Sequence, residues 1–267
     1  MANAATTGLA DPKPGDSYVQ SFARGLEVIR SFSAMAPQQT LTEVATRSGL
    51  SRAGARRILL TLQTLGYVAS DGKLFSLTPR ILDLGFAYLS SMPIWNIAEP
   101  AMDELVAQVQ ESCSAAVLEG TDIIYVLRVS TYKIMAISLG VGSRLPAYCT
   151  ALGRMLLSGL PDDQLRERLE ASHRTARTQY TVTDVDALMK AIAKVRRQGW
   201  ALIDQELEEG LVSMAAPVTN RAGQIVAALN ISGQANRTSA KDMEKTMLPQ
   251  LLAASRTISA LLGAQRR

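Results

Sequence analysis

The segment 41–65 (LTEVATRSGLSRAGARRILLTLQTL) constrains the fold of this chain more than any other stretch. Its pattern predicts a helix, a tight turn and a second helix. Thr42 is the predicted N-cap of the first helix, because it stands just ahead of apolar residues. Gly49 occupies the position where the turn needs a positive φ, and Ser51 offers a second N-cap. This arrangement is typical of a helix-turn-helix.

The second predicted helix has an apolar back and a basic front. The apolar side chains that recur at helical spacing are Ala55, Ile58, Leu59, Leu62 and Leu65. The opposite face carries Arg56 and Arg57, with Arg52 at its border and the small Ala53 between them. A helix of this shape and charge can enter a DNA major groove. The alternative is an ordinary pair of helices with a solvated basic face.

Residues 67–77 predict two short strands joined by the turn Ser70-Asp71-Gly72, which is the pattern of a wing. Lys73, near the tip of this hairpin, could reach a phosphate. Residues 21–33 predict a supporting helix ahead of the motif. We therefore expect a winged helix-turn-helix domain over 18–78.

The distribution of charge favours nucleic acid as the partner of this domain. The whole chain of 267 residues has a formal net charge of only +4. Residues 18–80 hold eight Lys or Arg against three acids, whereas basic and acidic residues balance beyond residue 80. The excess positive charge thus belongs to the winged-helix segment, as neutralisation of DNA phosphates requires.

The remaining composition indicates a cytoplasmic protein. Residues 1–17 are rich in small and polar residues and lack the basic and apolar regions of a signal peptide, so a disordered tail is expected there. No apolar run approaches the ~20 residues that span a bilayer. The two cysteines, Cys113 and Cys149, are too few for a disulfide framework and are interpreted as small buried residues.

Residues 79–92 predict a linker helix, and residues 93–267 a second domain. The linker is too apolar to stand alone, so its exposed stripe is expected to pair with a second subunit. In the second domain, helical patterns over 97–110, 150–160, 161–171, 184–198 and 239–262 flank or interrupt strand patterns over 114–119, 123–129, 134–139, 200–204, 212–218 and 224–231. Such hairpins with flanking helices predict an α+β domain that folds an antiparallel sheet around a small pocket.

Catalytic and metal-binding constellations find little support in this second domain. Its one histidine, His173, lies in a polar stretch that predicts a surface loop. Gly140-x-Gly142 lacks the further residues of a phosphate loop. The acids of segment 204–209 are interpreted as a solvated loop rather than as a carboxylate pair. No cofactor or metal is predicted.

The order of the predicted parts, namely helix-turn-helix, wing, linker helix and α+β domain, resembles that of the IclR-type transcriptional regulators of bacteria. The matching segments are 41–68, 142–157 (GSRLPAYCTALGRMLL), 199–217 (GWALIDQELEEGLVSMAAP) and 227–233 (AALNISG). RLPAYCT and DQELEEGL look most like the branch that controls aromatic-acid catabolism through the β-ketoadipate pathway. The resemblance implies a homodimer or tetramer whose GAF-like second domain binds a small organic acid and changes binding to double-stranded operator DNA or contact with RNA polymerase.

The resemblance also implies an effector pocket. In the family, residues at the positions of Ala151 and Leu152, and polar side chains at those of Ser213, Asn230 and Ser232, line this pocket. Small residues at the start of the helix that Thr150 opens would let a carboxylate approach its backbone N–H groups.

Further candidates complete the predicted pocket. Ile137 and Leu211 would supply apolar walls. Members with smaller effectors have an acid near Asp204 and a cysteine where Ser213 stands, although an ungapped match puts Ile203 at one such acid. Arg128 and Arg144 could each pair with a carboxylate, or each could form a structural ion pair.

A ligand-responsive transcriptional regulator is therefore the leading interpretation. A regulator of another small-acid pathway, such as acetate or sugar-acid use, is the runner-up in the same class. An enzyme fused to a DNA anchor and an architectural DNA binder without an effector are the alternatives from other classes. For the helix-turn-helix we predict DNA contacts by Thr42, Ser51, Arg52, Ala53, Arg56, Arg57 and Lys73.

Overall fold

The structure is a computed structural model that describes residues 18–91, 94–131 and 139–264. Contacts between Cα atoms divide the chain into two units, Met1–Ser90 and Ser91–Arg267. The predicted tail, most of the strand predicted over 134–139, and Ile137 lie outside the described residues.

The first unit is a winged helix-turn-helix. Its elements are α1 (Gln20–Arg30), β1 (Gln38–Thr40), α2 (Leu41–Arg47), α3 (Arg52–Thr64), β2 (Val68–Ser70) and β3 (Leu74–Leu77). The three strands form one antiparallel sheet in the order β1-β3-β2. The sequence patterns did not predict β1, because three residues are too few for a visible alternation.

One small core holds this unit together. The fully or nearly buried side chains come from all three helices, from the residue that follows the end of α1 and from β2: Val28, Phe32, Val44, Ala45, Ala55, Leu59, Leu62 and Val68. The predicted stripe of α3 is confirmed at Ala55, Leu59 and Leu62. Leu65 is 51% exposed and so lies outside it. The physical reason is that α3 ends at Thr64, so Leu65, the next residue, is no longer part of the helix.

A helical turn at Pro79–Ile81 leads into α4 (Leu82–Ser91). Pro79 stands at the first position of the turn, where its missing N–H costs nothing. Four large side chains of α4 are exposed: Leu82, Leu84, Phe86 and Tyr88. Leu82 and Phe86 are four residues apart, as are Leu84 and Tyr88, so the exposed apolar surface covers two sides of the helix rather than one stripe, and its pairing with a second subunit stays a prediction.

The second unit is an α+β domain built on one sheet. Its helices are α5 (Ile94–Val109), α6 (Ala151–Leu157), α7 (Asp162–Ala171), α8 (Val185–Gln198) and α9 (Ala240–Ala264). Its strands are β4 (Ser112–Glu119), β5 (Asp122–Val129), β6 (Arg144–Pro146), β7 (Ala201–Asp204), β8 (Leu211–Thr219) and β9 (Ile225–Gln234). All neighbours pair antiparallel, in the order β6-β5-β4-β9-β8-β7.

Helices cover both faces of this sheet. On one face α6 packs over β8, β9, β4 and β7, with α7 and α8 outside it. On the other face α9 packs against β8 and against α5, and Gly233 of β9 faces Met243 of α9. The predicted α+β fold with an antiparallel sheet is confirmed.

Candidate functional sites

The first helix of the helix-turn-helix is fixed by a capping box at Thr40. The Thr40 hydroxyl accepts a hydrogen bond from the Glu43 N–H at 3.3 Å, and the Glu43 carboxylate accepts one from the Thr40 N–H at 2.7 Å. Hydrogen bonds from the Thr40 backbone and hydroxyl lower the pKa of Glu43. The prediction that Thr42 caps this helix is wrong. A capping box needs an acidic or amide side chain three residues after the cap, and Thr40 has Glu43 there whereas Thr42 has an alanine. Thr42 lies exposed in the first turn of α2.

The turn and the second helix follow the sequence prediction. Gly49 has φ +66°, a conformation that costs a glycine nothing. Ser51 caps α3, since its hydroxyl accepts a hydrogen bond from the Gly54 N–H at 3.1 Å. Local chemistry therefore fixes the angle at which α3 leaves the turn.

A groove between α3 and the wing brings several of the predicted DNA-binding residues together. Its described lining includes Thr42, Arg52, Arg56 and Lys73. Lys73 reaches this groove because the Asp71 carboxylate accepts hydrogen bonds from the Lys73 and Leu74 N–H groups and tightens the hairpin turn. These bonds also lower the pKa of Asp71. A cationic rim is thus built on two rigid elements.

Two further predicted DNA-binding residues, Ala53 and Arg57, lie on the adjacent row of α3. Ala53 and Arg57 are exposed and four residues apart, as are Arg52 and Arg56, so the helix presents two parallel rows. Among the described ion pairs, none involves Arg52, Arg56 or Arg57. Their positive charge is not neutralised by an acidic side chain of the described protein.

A cavity lies in the second unit between the sheet and the start of α6. The described residues that line it are Ser112, Ser114, Tyr125, Arg128, Leu139, Cys149, Thr150, Ala151, Leu152, Ile203, Leu207, Leu211, Ser213, Asn230 and Ser232. Its volume is about 40 Å³, which is room for a few water molecules. Six of the predicted effector residues lie here: Ala151, Leu152, Leu211, Ser213, Asn230 and Ser232.

Three polar side chains form a hydrogen-bonded cluster on the sheet. The Asn230 side-chain nitrogen donates to the Ser213 hydroxyl at 3.0 Å and to the Ser232 hydroxyl at 2.9 Å. Ser232 donates to Ser213 at 3.0 Å, and Ser213 donates to the Ile231 carbonyl at 3.1 Å. The Asn230 oxygen accepts from the Ser114 N–H at 3.1 Å, which fixes the orientation of the amide. The sheet register places Ser213 directly opposite Ser232.

The start of α6 is more crowded than the sequence suggests. Thr150 caps the helix by accepting a hydrogen bond from the Gly153 N–H at 3.1 Å, while its hydroxyl donates to the Pro146 carbonyl at 3.0 Å. A Cβ on Gly153 would lie 2.1 Å from the Ala147 carbonyl oxygen. The prediction that small residues here leave room for a ligand is wrong at Gly153, because the Ala147 backbone occupies that space.

Strand alternation separates Ile203 from Asp204. Ile203 is buried and lines the cavity, whereas Asp204 is exposed and its carboxylate accepts a hydrogen bond from Gln205. Successive residues of a strand point to opposite faces, so β7 cannot present both to the cavity. The structure therefore does not bring Asp204 to the other predicted effector residues.

One buried ion pair escaped the sequence analysis. Arg154, 5% exposed, donates from Nη2 to the Glu206 carboxylate at 2.6 Å and from Nε to the Tyr148 carbonyl at 2.9 Å. The same carboxylate accepts a hydrogen bond from the Val182 N–H at 3.0 Å. The interpretation of segment 204–209 as a solvated loop is thus wrong at Glu206. The sequence does hold one indication of this ion pair, because Arg154 is a charged residue inside the otherwise apolar helix ALGRMLL.

The cysteines, the histidine and the two arginines considered in the sequence analysis can now be placed in the structure. Cys113 and Cys149 are both buried free thiols, as predicted, and burial raises the pKa of each. His173 lies exposed in a loop, also as predicted. Arg144 pairs with Asp122 at 3.3 Å outside the cavity, whereas Arg128 lines the cavity. Among residues 18–91, 94–131 and 139–264, no group of acidic, histidine or cysteine side chains could hold a metal ion, and no helix there could cross a membrane.

Comparison with known proteins assigns both units to one family. Residues 21–72 match the IclR helix-turn-helix domain, and residues 86–260 match the C-terminal domain of bacterial IclR transcriptional regulators. The Pca regulon regulatory protein of Pseudomonas putida is 44% identical over 242 residues, which cover 90% of this chain and 83% of that protein.

Solved structures agree with this assignment. A transcriptional regulator of Rhodococcus sp. RHA1 is 47% identical with a TM-score of 0.83, covering 92% of this chain and 98% of that one. The inducer-binding domain of the PobR transcription factor of Acinetobacter, a double mutant in complex with 3-hydroxybenzoic acid, is 29% identical with a TM-score of 0.58, covering 62% and 98%. The chain belongs to the IclR family of bacterial transcriptional regulators.

Proposed function

We propose that this chain regulates the transcription of genes for aromatic-acid catabolism and that a small organic acid is its effector. The observation that carries the proposal is the cavity beside α6, which combines apolar walls with a polar cluster at Ser213, Asn230 and Ser232. Similarity to a Pca regulon regulatory protein and to an inducer-binding domain that holds a hydroxybenzoic acid supports this effector class.

The operator surface in this proposal is the face of α3 with the wing. Arg52 and Arg56 carry positive charge toward the groove, and Lys73 approaches a phosphate from the wing tip. On the adjacent row, Ala53 leaves space beside Arg57. Ser51 and Thr42 lie at the two helix starts, where hydroxyls and backbone N–H groups suit phosphate oxygens.

The assembly in this proposal is a homodimer or a dimer of dimers that works in the cytoplasm, where the chromosome is. The exposed apolar side chains of α4, among them Leu82 and Phe86, suit an isologous contact with a second copy. In this proposal the effector changes the affinity of the protein for its operator or its contact with RNA polymerase, and the protein catalyses no reaction on that effector.

In this proposal the cavity must enlarge when the effector binds, so side chains that line it move. A benzene-sized ligand needs roughly 150 Å³, several times the present cavity of about 40 Å³. Leu207 and Leu211 flank the turn after β7 and line the cavity, so they are the side chains whose movement would enlarge it. The proposed effector residues are Ala151, Leu152, Leu211, Ser213, Asn230 and Ser232, with Ile137 as a further wall.

Thermal unfolding of the purified chain with a panel of acids tests the proposal. The panel contains 4-hydroxybenzoate, 3,4-dihydroxybenzoate, adipate and 3-oxoadipate. An acid at 100 times its Kd should raise the free energy of unfolding by about 2.7 kcal/mol. Each acid that stabilises the chain is then added to its complex with an operator selected from random DNA, whose affinity it should change. If no acid of the panel stabilises the chain, the proposed effector class is wrong.

A further inference from the structure

A β-bulge brings two polar side chains of β5 into the cavity. Ser114 lies opposite Arg128 and Ala115 opposite Leu127, but Ala116 lies opposite Tyr125, so Val126 is an extra residue in β5. Residues three apart in a regular strand point to opposite faces. Because of the bulge, Tyr125 and Arg128 both line the cavity. Bulges often re-aim a side chain in this way beside a functional site.

Two hydroxyls in this part of the cavity have no hydrogen-bond partner among the described residues. Tyr125 is 4% exposed and Ser114 is 2% exposed, and each lines the cavity. Within the described ranges, neither the Tyr125 hydroxyl nor the Ser114 hydroxyl takes part in a hydrogen bond. Neither oxygen is sealed off like the enclosed unpartnered atoms elsewhere in the described residues, so both face the open space of the cavity, where a ligand or water can bond to them.

The polar cluster on β8 and β9, which lies beyond Ser114 as seen from β5, differs in its hydrogen-bonding capacity. Both N–H groups of the Asn230 amide are used, one on each serine. The Ser232 hydrogen goes to Ser213, and the Ser213 hydrogen goes to the Ile231 carbonyl. This cluster therefore has no donor to spare and offers lone pairs only. A carboxylate is acceptor-only, so it finds no partner there.

Positive charge lies on the same side as the unpartnered hydroxyls. The Arg128 guanidinium lies near enough to Tyr125 to act on the pKa of its phenol, which burial nevertheless raises to about 12. At neutral pH the Tyr125 hydroxyl is thus protonated and can donate. Arg128 itself donates from Nε to the Ser130 hydroxyl at 3.0 Å and lines the cavity, whereas Arg144, the other arginine considered for a carboxylate, pairs with Asp122 outside it.

We propose that Ser114, Tyr125 and Arg128 bind the carboxylate of the effector, and that the acceptors of Asn230 and Ser232 receive a hydroxyl donated by its other end. This inference rests on the proposed function, because it concerns the same cavity. It orients the ligand across the sheet, from β5 to β9. It also assigns the preference for an acid to Tyr125 and Arg128, which the bulge in β5 brings together, and to Ser114 of β4 opposite Arg128.

Calorimetric titration of the full chain tests this orientation. The probes are the panel acid that binds the wild type most tightly and the carboxamide of that acid. For a dicarboxylate, both monoamides are used. Arg128→Gln and Tyr125→Phe should each weaken binding of the acid about 10- to 100-fold, the range for hydrogen bonds to a charged group. Neither substitution should change binding of the matching amide by a comparable factor, because the amide carries no charge.

Arg144→Gln is the matched control, since it removes an arginine from the same sheet outside the cavity. It should leave the affinity for the acid unchanged. If Arg128→Gln and Tyr125→Phe bind the acid as the wild type does, or lose acid and amide equally, the carboxylate lies elsewhere and this inference is wrong. If the wild type binds no acid of the panel, the proposed function fails and this inference fails with it. Unchanged tryptophan fluorescence and unfolding temperature show that each variant is folded.

Discussion

The two units use arginine in opposite ways. On α3, Arg56 and Arg57 are exposed and pair with no acid of the described protein. In α6, Arg154 is buried and bound to Glu206. The difference separates charge that remains available for DNA phosphates from charge that is fully used inside the protein. Substitution on α3 should thus affect binding with little effect on stability, and substitution of Arg154 or its partner should do the reverse.

Hydrogen bonds around Glu206 extend this contrast to a whole loop. The Thr178 and Thr181 hydroxyls donate to the carbonyls of Gln205 and Glu206, each at 2.6 Å. The loop that follows β7 is thus held by backbone and side-chain bonds together. Leu207, the next residue, lines the cavity. Stability and the shape of the cavity are coupled here, whereas the basic face of α3 lies away from its own core.

The largest effect is expected from Glu206→Gln. The substitution leaves Arg154 buried without an anionic partner, and breaking a buried pair in this way costs about 3–5 kcal/mol. Both tryptophans of the chain, Trp95 and Trp200, lie in the second unit. Urea unfolding followed by tryptophan fluorescence therefore measures the stability of that unit.

The matched control for this prediction is Asp122→Asn, which removes the partner of Arg144 at the surface. An exposed pair contributes at most about 1 kcal/mol, so this variant should unfold close to the wild type. If the two variants lose equal free energy of unfolding, the buried ion pair does not stabilise this protein more than the exposed one, and the prediction is wrong.

Arg56→Ala should produce the next largest effect, on DNA rather than on folding. Loss of a contact to a base edge should weaken operator binding by about 1–3 kcal/mol and relax the preference at one base pair. Competition with operators substituted at single positions measures both quantities. Arg57→Ala, on the adjacent row of α3, is the comparison. A loss that is the same for every operator would identify a phosphate contact instead, and no loss would remove Arg56 from the interface.

The contrast between the units also explains what the sequence could predict. The helix-turn-helix depends on local signals, such as the Gly49 turn and the Ser51 cap, and the structure confirms both. The error at Thr42 was local too, because the acid at Glu43 identifies Thr40 as the cap. In the second unit, Arg154 and Glu206 are 52 residues apart, and periodicity carries no information on such a contact.

Strand order and strand register set a further limit. Asn230 and Ser232 are two residues apart in β9, so alternation puts them on one face, but their register with Ser213 does not follow from alternation. It did not predict the bulge in β5, because an extra residue leaves the hydrophobic pattern almost unchanged. The sequence therefore does not predict that Tyr125 and Ser114 line the cavity. Their positions there depend on the pairing of β4 with its neighbours β5 and β9.

Ser232→Ala should separate sensing from DNA binding. Ser232 accepts a hydrogen bond from Asn230 and lines the cavity, so its loss should weaken binding of a panel acid by about 1 kcal/mol, roughly fivefold in Kd. Operator affinity without the acid should stay at the wild-type value, because the residue belongs to the other unit. Calorimetry and fluorescence anisotropy measure the two quantities. An unchanged Kd for the acid would exclude Ser232 from the pocket.

The smallest effect is expected where sequence and structure disagree about a cap. Thr40→Ala removes the acceptor of the Glu43 N–H and should destabilise the start of α2 by about 0.5–1 kcal/mol. Hydrogen exchange measured on the peptide that contains 41–47 should then accelerate about two- to fivefold. Thr42→Ala should leave this rate unchanged, because the Thr42 side chain caps nothing. Faster exchange in Thr42→Ala and not in Thr40→Ala would reverse the assignment of the cap, and with it the residue that fixes where the helix-turn-helix begins.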